Sequence, residues 1–191
     1  MIGTNEHLPQ ILCHKMLLPK TRDPLTLRLV AKFFETCERG ESIEYPPRLQ
    51  GLQTLFAQQT GDHEHKFKVA NTSAQVRKGL FNWSKDKLAT HDVRKVMVSD
   101  SGAMDPWYDN GECSNGSHTA AYIVENREQG ELLIDFLNSP LVSRIISNFS
   151  RSGALGCPII LVEKLPREIL TTPWQDVFHE CLEILGEINC R

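Results

Sequence analysis

The chain has 191 residues, of which 40% are hydrophobic and 24% charged, and its formal net charge is −3. This length suits one sizeable hydrophobic core, and the ordinary composition argues against disorder and against a chain that is basic throughout. No apolar run approaches the roughly 20 residues that would span a bilayer, so we expect a cytoplasmic location.

The first predicted element is an amphipathic helix over residues 24–38. Asp23 suits the N-cap, Pro24 suits the first helical position, and Gly40 follows the last turn. Apolar side chains recur at helical spacing, which indicates that one face packs on a core. The form of the next segment stays open, because Pro46 and Pro47 interrupt any helix there.

Short runs of β-forming residues then dominate as far as residue 124. They cover residues 67–70, 79–83, 95–99 and 119–124, and turn-prone segments such as Asp109-Asn110-Gly111 separate them. The pattern predicts a central mixed or antiparallel sheet with exposed loops.

Helical periodicity returns after the sheet. Asn126 and Gln129 have capping-box spacing, and Ser139 followed by Pro140 opens a second helix. A buried strand is predicted over residues 159–162, and Thr172 is the expected cap of a C-terminal helix. The predicted fold class is therefore α+β, with helices packed at the side of the sheet and a helix at the C-terminus.

The charge is unevenly distributed along the chain. Residues 66–95 contain eight cations and two anions, a local balance of +6, so the rest of the chain carries −9. Such segregation is typical of a surface that contacts phosphates, although a solvated basic face would have the same composition.

Motifs for catalysis or metal binding are incomplete. Ser152-Gly153-Ala154-Leu155-Gly156 has the wrong glycine spacing for a cofactor loop, and Tyr45-Pro46-Pro47-Arg48 lacks the amide and aromatic residues of an amino-methylating site. Glu64-His65-Lys66 matches half of a metal-dependent nuclease signature, but only Glu41 and Glu44 precede it as candidate partners. The six cysteines form no Cys-x-x-Cys pair, and His63 with His65 lacks a second ligand pair. We therefore predict no catalytic residue and no metal ligand.

A series of short patterns between residues 65 and 152 has a distinctive order. They are Lys66-Phe67-Lys68-Val69, Leu80-Phe81-Asn82-Trp83, Arg94-Lys95-Val96-Met97-Val98-Ser99, Trp107-Tyr108-Asp109-Asn110-Gly111, Ser117-His118-Thr119-Ala120-Ala121-Tyr122-Ile123-Val124, Phe136-Leu137-Asn138-Ser139 and Arg151-Ser152-Gly153. This order covers a little under half of the chain. It resembles the C-terminal target-recognition region of adenine-specific DNA methyltransferases from bacterial Type II restriction–modification systems.

In that family a preceding catalytic domain binds S-adenosylmethionine and methylates adenine N6, whereas the C-terminal region contacts bases. The resemblance thus implies a recognition domain that binds double-stranded DNA and works with a methyltransferase catalytic domain in cis or in trans. It implies no cofactor in this chain, with S-adenosylmethionine expected in the parent catalytic domain. Residues 1–22 would form an N-terminal extension, and residues 23–191 a single target-recognition-like domain.

Candidate DNA contacts fall into two chemical groups. Cations would neutralise phosphates, whereas amides, hydroxyls, imidazole and aromatic rings would read or stack on bases. The predicted set is Lys66, Lys68, Arg77, Lys78, Asn82, Trp83, Lys85, Arg94, Lys95, Asn110, Asn115, Ser117, His118 and Arg151, with Trp107 and Tyr108 as further stacking candidates.

Two other functions remain open at this point. One is the metal-dependent nuclease suggested by Glu64-His65-Lys66. The other is a protein-interaction domain that would use an exposed helix near Trp174 and Phe178, with the basic segment merely solvated.

Overall fold

The computed structural model describes residues 20–46, 61–100, 104–149 and 162–190. The helices in this part of the chain are α1 (Pro24–Cys37), α2 (Ser73–Arg77), α3 (Arg127–Leu137), α4 (Pro140–Ser147), α5 (Trp174–Val177) and α6 (His179–Asn189), with a 3-10 helix at Arg167–Leu170. The strands are β1 (Phe67–Ala70), β2 (Asn82–Ser84), β3 (Lys95–Ser99), β4 (Trp107–Asp109), β5 (Ser114–Asn115) and β6 (Thr119–Ile123).

Helix α1 has the boundaries that its capping residues require. Asp23 accepts a hydrogen bond from the backbone N–H of Thr26 at 2.9 Å, and Pro24 occupies the first turn. The helix buries Leu29, Val30 and Phe33 completely, so the predicted amphipathic helix is confirmed.

The strands form two three-stranded sheets. In one sheet, β3 lies between β4 and β6 and is antiparallel to both. In the other, β1 is antiparallel to β2 and parallel to β5. The α+β class is confirmed, but the strands divide into two sheets where the sequence suggested one.

Strand β3 is buried on both faces because each face contacts a different core. Val96 and Val98 join the main core with the helices, whereas Met97 points the other way into a small cluster with Ala70 and Cys113. This alternation follows from the two-residue period of a strand. The small cluster lies between the two sheets and supports the site described below.

A short connection joins the two sheets where β5 leads into β6. The carbonyl of Ala70 accepts hydrogen bonds from the Gly116 N–H at 2.7 Å and from the Thr119 hydroxyl at 2.9 Å. A Cβ at residue 116 would lie 2.7 Å from that carbonyl oxygen, so only glycine fits this close approach. Thr90 donates to the Asn115 side chain at 2.7 Å and completes a buried polar network.

Aromatic rings from three helices and from the junction between α5 and α6 fill the main core. Phe136 stacks on Phe178 with ring centroids 4.9 Å apart, Phe33 stacks on both, and Trp174 lies 6.0 Å from Phe136. Trp174 and Phe178 are 8% and 1% exposed. The prediction of an exposed docking helix at these residues is therefore wrong, because the two side chains pack inward.

The capping predictions for the helices had mixed outcomes. Asn126 caps α3 through the N–H of Gln129 at 3.0 Å, and Ser139 caps α4 through Val142, as expected. The predicted Thr172 cap is wrong, because Pro173 occupies the N-cap of α5 without a side-chain hydrogen bond. The C-terminal helical region is also divided into two helices at Phe178.

The predicted strand boundaries also differ in places. Strand β2 begins at Asn82 and not at residue 79, because α2 and its terminal turn occupy the preceding residues. Of the predicted strand over residues 159–162, all but Val162 lie outside the described residues, as does Arg151. Within the described ranges, no helix is both long enough and apolar enough to cross a membrane.

Candidate nucleic-acid interface

An open cleft of about 560 Å³ lies between the two sheets and the start of α3. Strand β1, helix α2 and the start of β2 border one side, and the edge strand β4 borders the other. Its lining consists of two cations, three aromatic rings, one amide and four further residues: Lys68, Arg127, Phe81, Trp107, Tyr108, Asn110, Val76, Asp109, Glu112 and Cys113. These ten residues define what we call the cleft.

The Tyr108 ring is held in place by a glycine on the neighbouring helix. A Cβ at Gly130 of α3 would lie 2.5 Å from Cδ2 of Tyr108, closer than any real Cβ contact. The missing side chain therefore lets the ring rest directly on the helix. Trp107, the preceding residue on β4, packs against the small cluster between the sheets. Two adjacent aromatic residues thus reach the cleft from opposite faces of an edge strand.

Lys68 is positioned by aromatic contacts. Its Nζ lies 5.2 Å from the centroid of Phe81 and 6.0 Å from that of Trp83, within the range of cation–π interactions. Trp83 is the residue of β2 that pairs with Lys68 of β1. Because aromatic rings contact the ammonium group without neutralising its charge, the group can still donate to a ligand.

Asn110 and Arg94 form a hydrogen-bonded pair beside the cleft. Nε of Arg94 donates to Oδ1 of Asn110 at 3.3 Å, and the Tyr108 hydroxyl donates to the same oxygen at 3.3 Å. Nη1 of Arg94 also donates to the Glu125 carbonyl at 2.9 Å. The amide oxygen is therefore occupied, which leaves the amide nitrogen of exposed Asn110 as a donor for a ligand.

A buried ion pair lies beneath the cleft. Nζ of Lys95 contacts Oδ2 of Asp109 at 2.6 Å, with the two side chains 0% and 8% exposed. The ammonium also donates to the Val93 carbonyl at 2.9 Å, and the same carboxylate oxygen accepts from the Gly111 N–H at 3.0 Å. Lys95 is thus enclosed by protein, so it cannot contact a phosphate directly, contrary to the expectation from its sequence.

Cys113 adds no nucleophile to this site. Its thiol donates to Oδ1 of Asp109 at 3.3 Å. Burial, followed by the charge of Asp109, raises the pKa of the Cys113 thiol far above its usual value, so the reactive thiolate is suppressed.

Besides Lys95, three further cations of the basic segment are paired with carboxylates. Arg77 contacts Asp105, Lys87 contacts Asp92, and Lys85 contacts Glu64 at 2.6 Å. The hydrogen bond from Lys85 lowers the pKa of Glu64, and the hydrogen bond to Glu64 raises the pKa of Lys85. These pairs reduce the positive potential that the sequence composition suggested.

The remaining predicted residues have separate environments. Asn115 is buried in the polar network between the sheets, so it cannot contact bases. Ser117 donates to Asn71 at 3.2 Å, and the His118 ring lies 3.2 Å from the Asp100 carboxylate. Lys66 and Lys78 are exposed, whereas Asn82 is half-buried on β2.

No family model, curated protein sequence or solved structure matches this chain. The functional argument therefore depends on the chemistry of the cleft. Among the described residues, no group of three or more His, Cys, Asp or Glu side chains has a geometry suited to a metal ion. Glu64, the acidic residue of the nuclease half-signature, forms an ion pair with Lys85.

Among the cations and aromatic residues of the cleft, two were missed as site residues by reasoning from the sequence. Phe81 was recognised only as part of a strand and of a short pattern, and Arg127 was not considered. Arg127 occupies the first position of α3, where the helix dipole disfavours a cation. Its guanidinium lies 6.0 Å from the Tyr108 ring. A cation at this unfavourable position of a predicted helix was the feature of the sequence that could have marked Arg127 as a candidate site residue.

Proposed function

We propose that the chain is a DNA-binding specificity module that works with a methyltransferase catalytic domain supplied in cis or in trans. In this account the chain binds double-stranded DNA and carries no cofactor, and the catalytic domain binds S-adenosylmethionine. The observation that carries the proposal is the cleft, in which strands and a helix bring together cations, aromatic rings and an amide.

The cleft chemistry matches the separate requirements of DNA binding. Lys68, Arg127 and the adjacent Arg94 supply positive charge for phosphates, which fixes orientation and affinity. Asn110 presents an amide donor of the kind that reads base edges. Trp107 and Tyr108 offer aromatic surface on which bases stack. The order of short patterns that resembles methyltransferase target-recognition regions supports the same assignment.

The other two functions receive less support from the described residues. Glu64, the acid of the nuclease half-signature, is paired with Lys85 at 2.6 Å. The helical surface proposed for protein docking would need Trp174 and Phe178 outside, and both are in the core. Neither alternative has a specific observation in its favour.

Selection from a random duplex pool tests the proposal. The chain is incubated with the pool, bound duplexes are recovered, and the enriched sequences are read over several rounds. We expect one short motif to emerge. Asn110→Ala should weaken discrimination at one position of that motif, by about 1–3 kcal/mol, while duplexes remain bound.

The matched control is Arg28→Ala, which removes an exposed cation on α1 whose contact with Glu187 is 3.9 Å long. This variant should recover the same motif with the same enrichment. A pool that stays random with the unaltered chain would reject the specificity role.

A further inference from the structure

A large apolar side chain is exposed to solvent beside the cleft. Leu80 lies in the turn between α2 and β2 and is 56% exposed, and no other large hydrophobic side chain of the described ranges is exposed. Val76 before it and Phe81 after it both line the cleft. Leu80 therefore lies at the margin of the proposed DNA-binding surface.

The turn that carries Leu80 has the hydrogen bonds of a Schellman motif. The Leu80 N–H donates to the Gln75 carbonyl at 2.9 Å, and the Gly79 N–H donates to the Val76 carbonyl at 2.9 Å. Gly79 has a φ of +70°, the left-handed conformation that this motif requires and that glycine adopts without strain. Because the end of the helix already fixes the backbone at Leu80, a ligand need not order it.

The sequence of α2 explains why Leu80 stays exposed. In a Schellman motif, the residue after the glycine is frequently apolar and packs on the third or fourth residue from the helix end. Gln75 and Ala74 occupy those positions in α2, so the last turn offers Leu80 no large apolar side chain. Contact with an apolar group of a partner would therefore remove leucine surface from water, which favours binding.

Double-stranded DNA offers an apolar group of this kind in its major groove. Thymine exposes its C5-methyl group there, whereas the other groups that distinguish the base pairs are hydrogen-bond donors or acceptors. The minor groove exposes no methyl group. A leucine side chain forms no hydrogen bond, so the thymine methyl is the group from which it gains binding energy. Exposed Lys78, two residues before Leu80, supplies a cation for a phosphate beside the groove.

We propose, on the basis of the function proposed above, that Leu80 recognises a thymine by contact with its C5-methyl group in the major groove. The turn between α2 and β2 enters the groove, and Lys78 contacts a flanking phosphate. The fixed backbone of the turn then sets the position of the leucine side chain against one base pair. A thymine is therefore a required base of the motif that the chain selects.

Deoxyuridine substitution tests this inference on the full chain, because deoxyuridine is thymidine without the C5-methyl group. Each thymine of the motif enriched from the random duplex pool is replaced in turn. Affinities are measured by fluorescence anisotropy of a dye at the end of the duplex. We expect one position at which the substitution weakens binding about fourfold, which is the effect of burying one methyl group.

Leu80→Ala should reduce the difference between thymine and deoxyuridine to less than about 1.5-fold, because the methyl group then has no partner. Leu80→Met keeps an apolar side chain of similar volume and should retain most of the difference. Lys78→Ala is the matched control in the same turn, and it should weaken binding of both duplexes equally. Since Leu80 is exposed, its replacement should leave the thermal unfolding midpoint unchanged.

A motif without thymine, or one in which no deoxyuridine substitution weakens binding, would overturn the inference, and the proposed DNA-binding function would stand without it. A difference between thymine and deoxyuridine that survived Leu80→Ala would also overturn it, because another residue would then contact the methyl group. Equal weakening of every duplex by Leu80→Ala would overturn it as well. If the pool stayed random with the unaltered chain, the proposed function and the inference would both fail.

Discussion

The buried pair of Lys95 and Asp109 gives a prediction that separates a structural lysine from a DNA-contacting one. The pair is 2.6 Å long, and Lys95 is completely enclosed. Replacing Lys95 by Met would leave the Asp109 carboxylate buried without its cation, with the Gly111 N–H and the Cys113 thiol as remaining donors. Removal of one partner from such a pair costs about 3–5 kcal/mol, so we expect a loss of about 3 kcal/mol in the free energy of unfolding.

Urea unfolding followed by circular dichroism measures this loss. Lys68→Met is the matched control, because Lys68 reaches the cleft and contacts aromatic rings without a buried carboxylate partner. It should change the free energy of unfolding by no more than about 1 kcal/mol. The double variant Lys95→Met/Asp109→Leu should recover much of the lost stability, since no unpaired charge remains buried. Equal small losses in Lys95→Met and Lys68→Met would refute the assignment of Lys95 as a structural residue.

Three further changes test individual features of the fold. Gly130→Ala should displace the Tyr108 ring, because Cδ2 of the ring would lie 2.5 Å from the new Cβ. Thermal unfolding should show a loss of stability of about 1–2 kcal/mol, although alanine has the better helix propensity. Asn115→Ala should cost about 1–3 kcal/mol in urea unfolding, because the Thr90 hydroxyl loses its buried acceptor; an unchanged midpoint would contradict the buried network. Asp23→Ala should cost about 1 kcal/mol by the same measurement through loss of the α1 cap, and a larger effect than that of Asn115→Ala would contradict this ranking.

Elements with local signals could be predicted from the sequence. Helix α1 and the caps of α3 and α4 depend on residues within one turn, and strands β1 and β3 have the bounds that their β-forming runs indicated. Strands β4 and β5 have only three and two residues, and β5 pairs with β1, which lies three strands earlier in the chain than its neighbour β4. A pattern of local propensity cannot identify such pairs, because tertiary contacts determine them.

The candidate site was only partly predictable for the same reason. Composition identified the basic segment between residues 66 and 95, but a charge count does not show which side chains are enclosed. Lys95 lies on the central strand of its sheet, and Asp109, its partner, comes from the neighbouring strand. Arg127 joins the cleft from another part of the chain. Predicting either contact requires the strand register and the position of α3.

Most of the predicted base-reading residues remain predictions. Asn110 lines the cleft and retains an amide donor, whereas Asn82 lies half-buried on β2 and Ser117 contacts Asn71. The structure thus assigns base contact to fewer side chains than the sequence suggested. Trp107 and Tyr108, which were secondary stacking candidates in the sequence, become central to it.

The salt dependence of duplex binding is the most direct test of the claim that the cleft and the adjacent Arg94 contact DNA. If Lys68, Arg94 and Arg127 each neutralise one phosphate, the plot of log affinity against log salt should have a slope of about −3. Lys68→Ala should make that slope shallower by about 1, and Arg28→Ala on α1 should leave it unchanged. Affinity that does not respond to salt, or that falls equally in the two variants, would contradict the account.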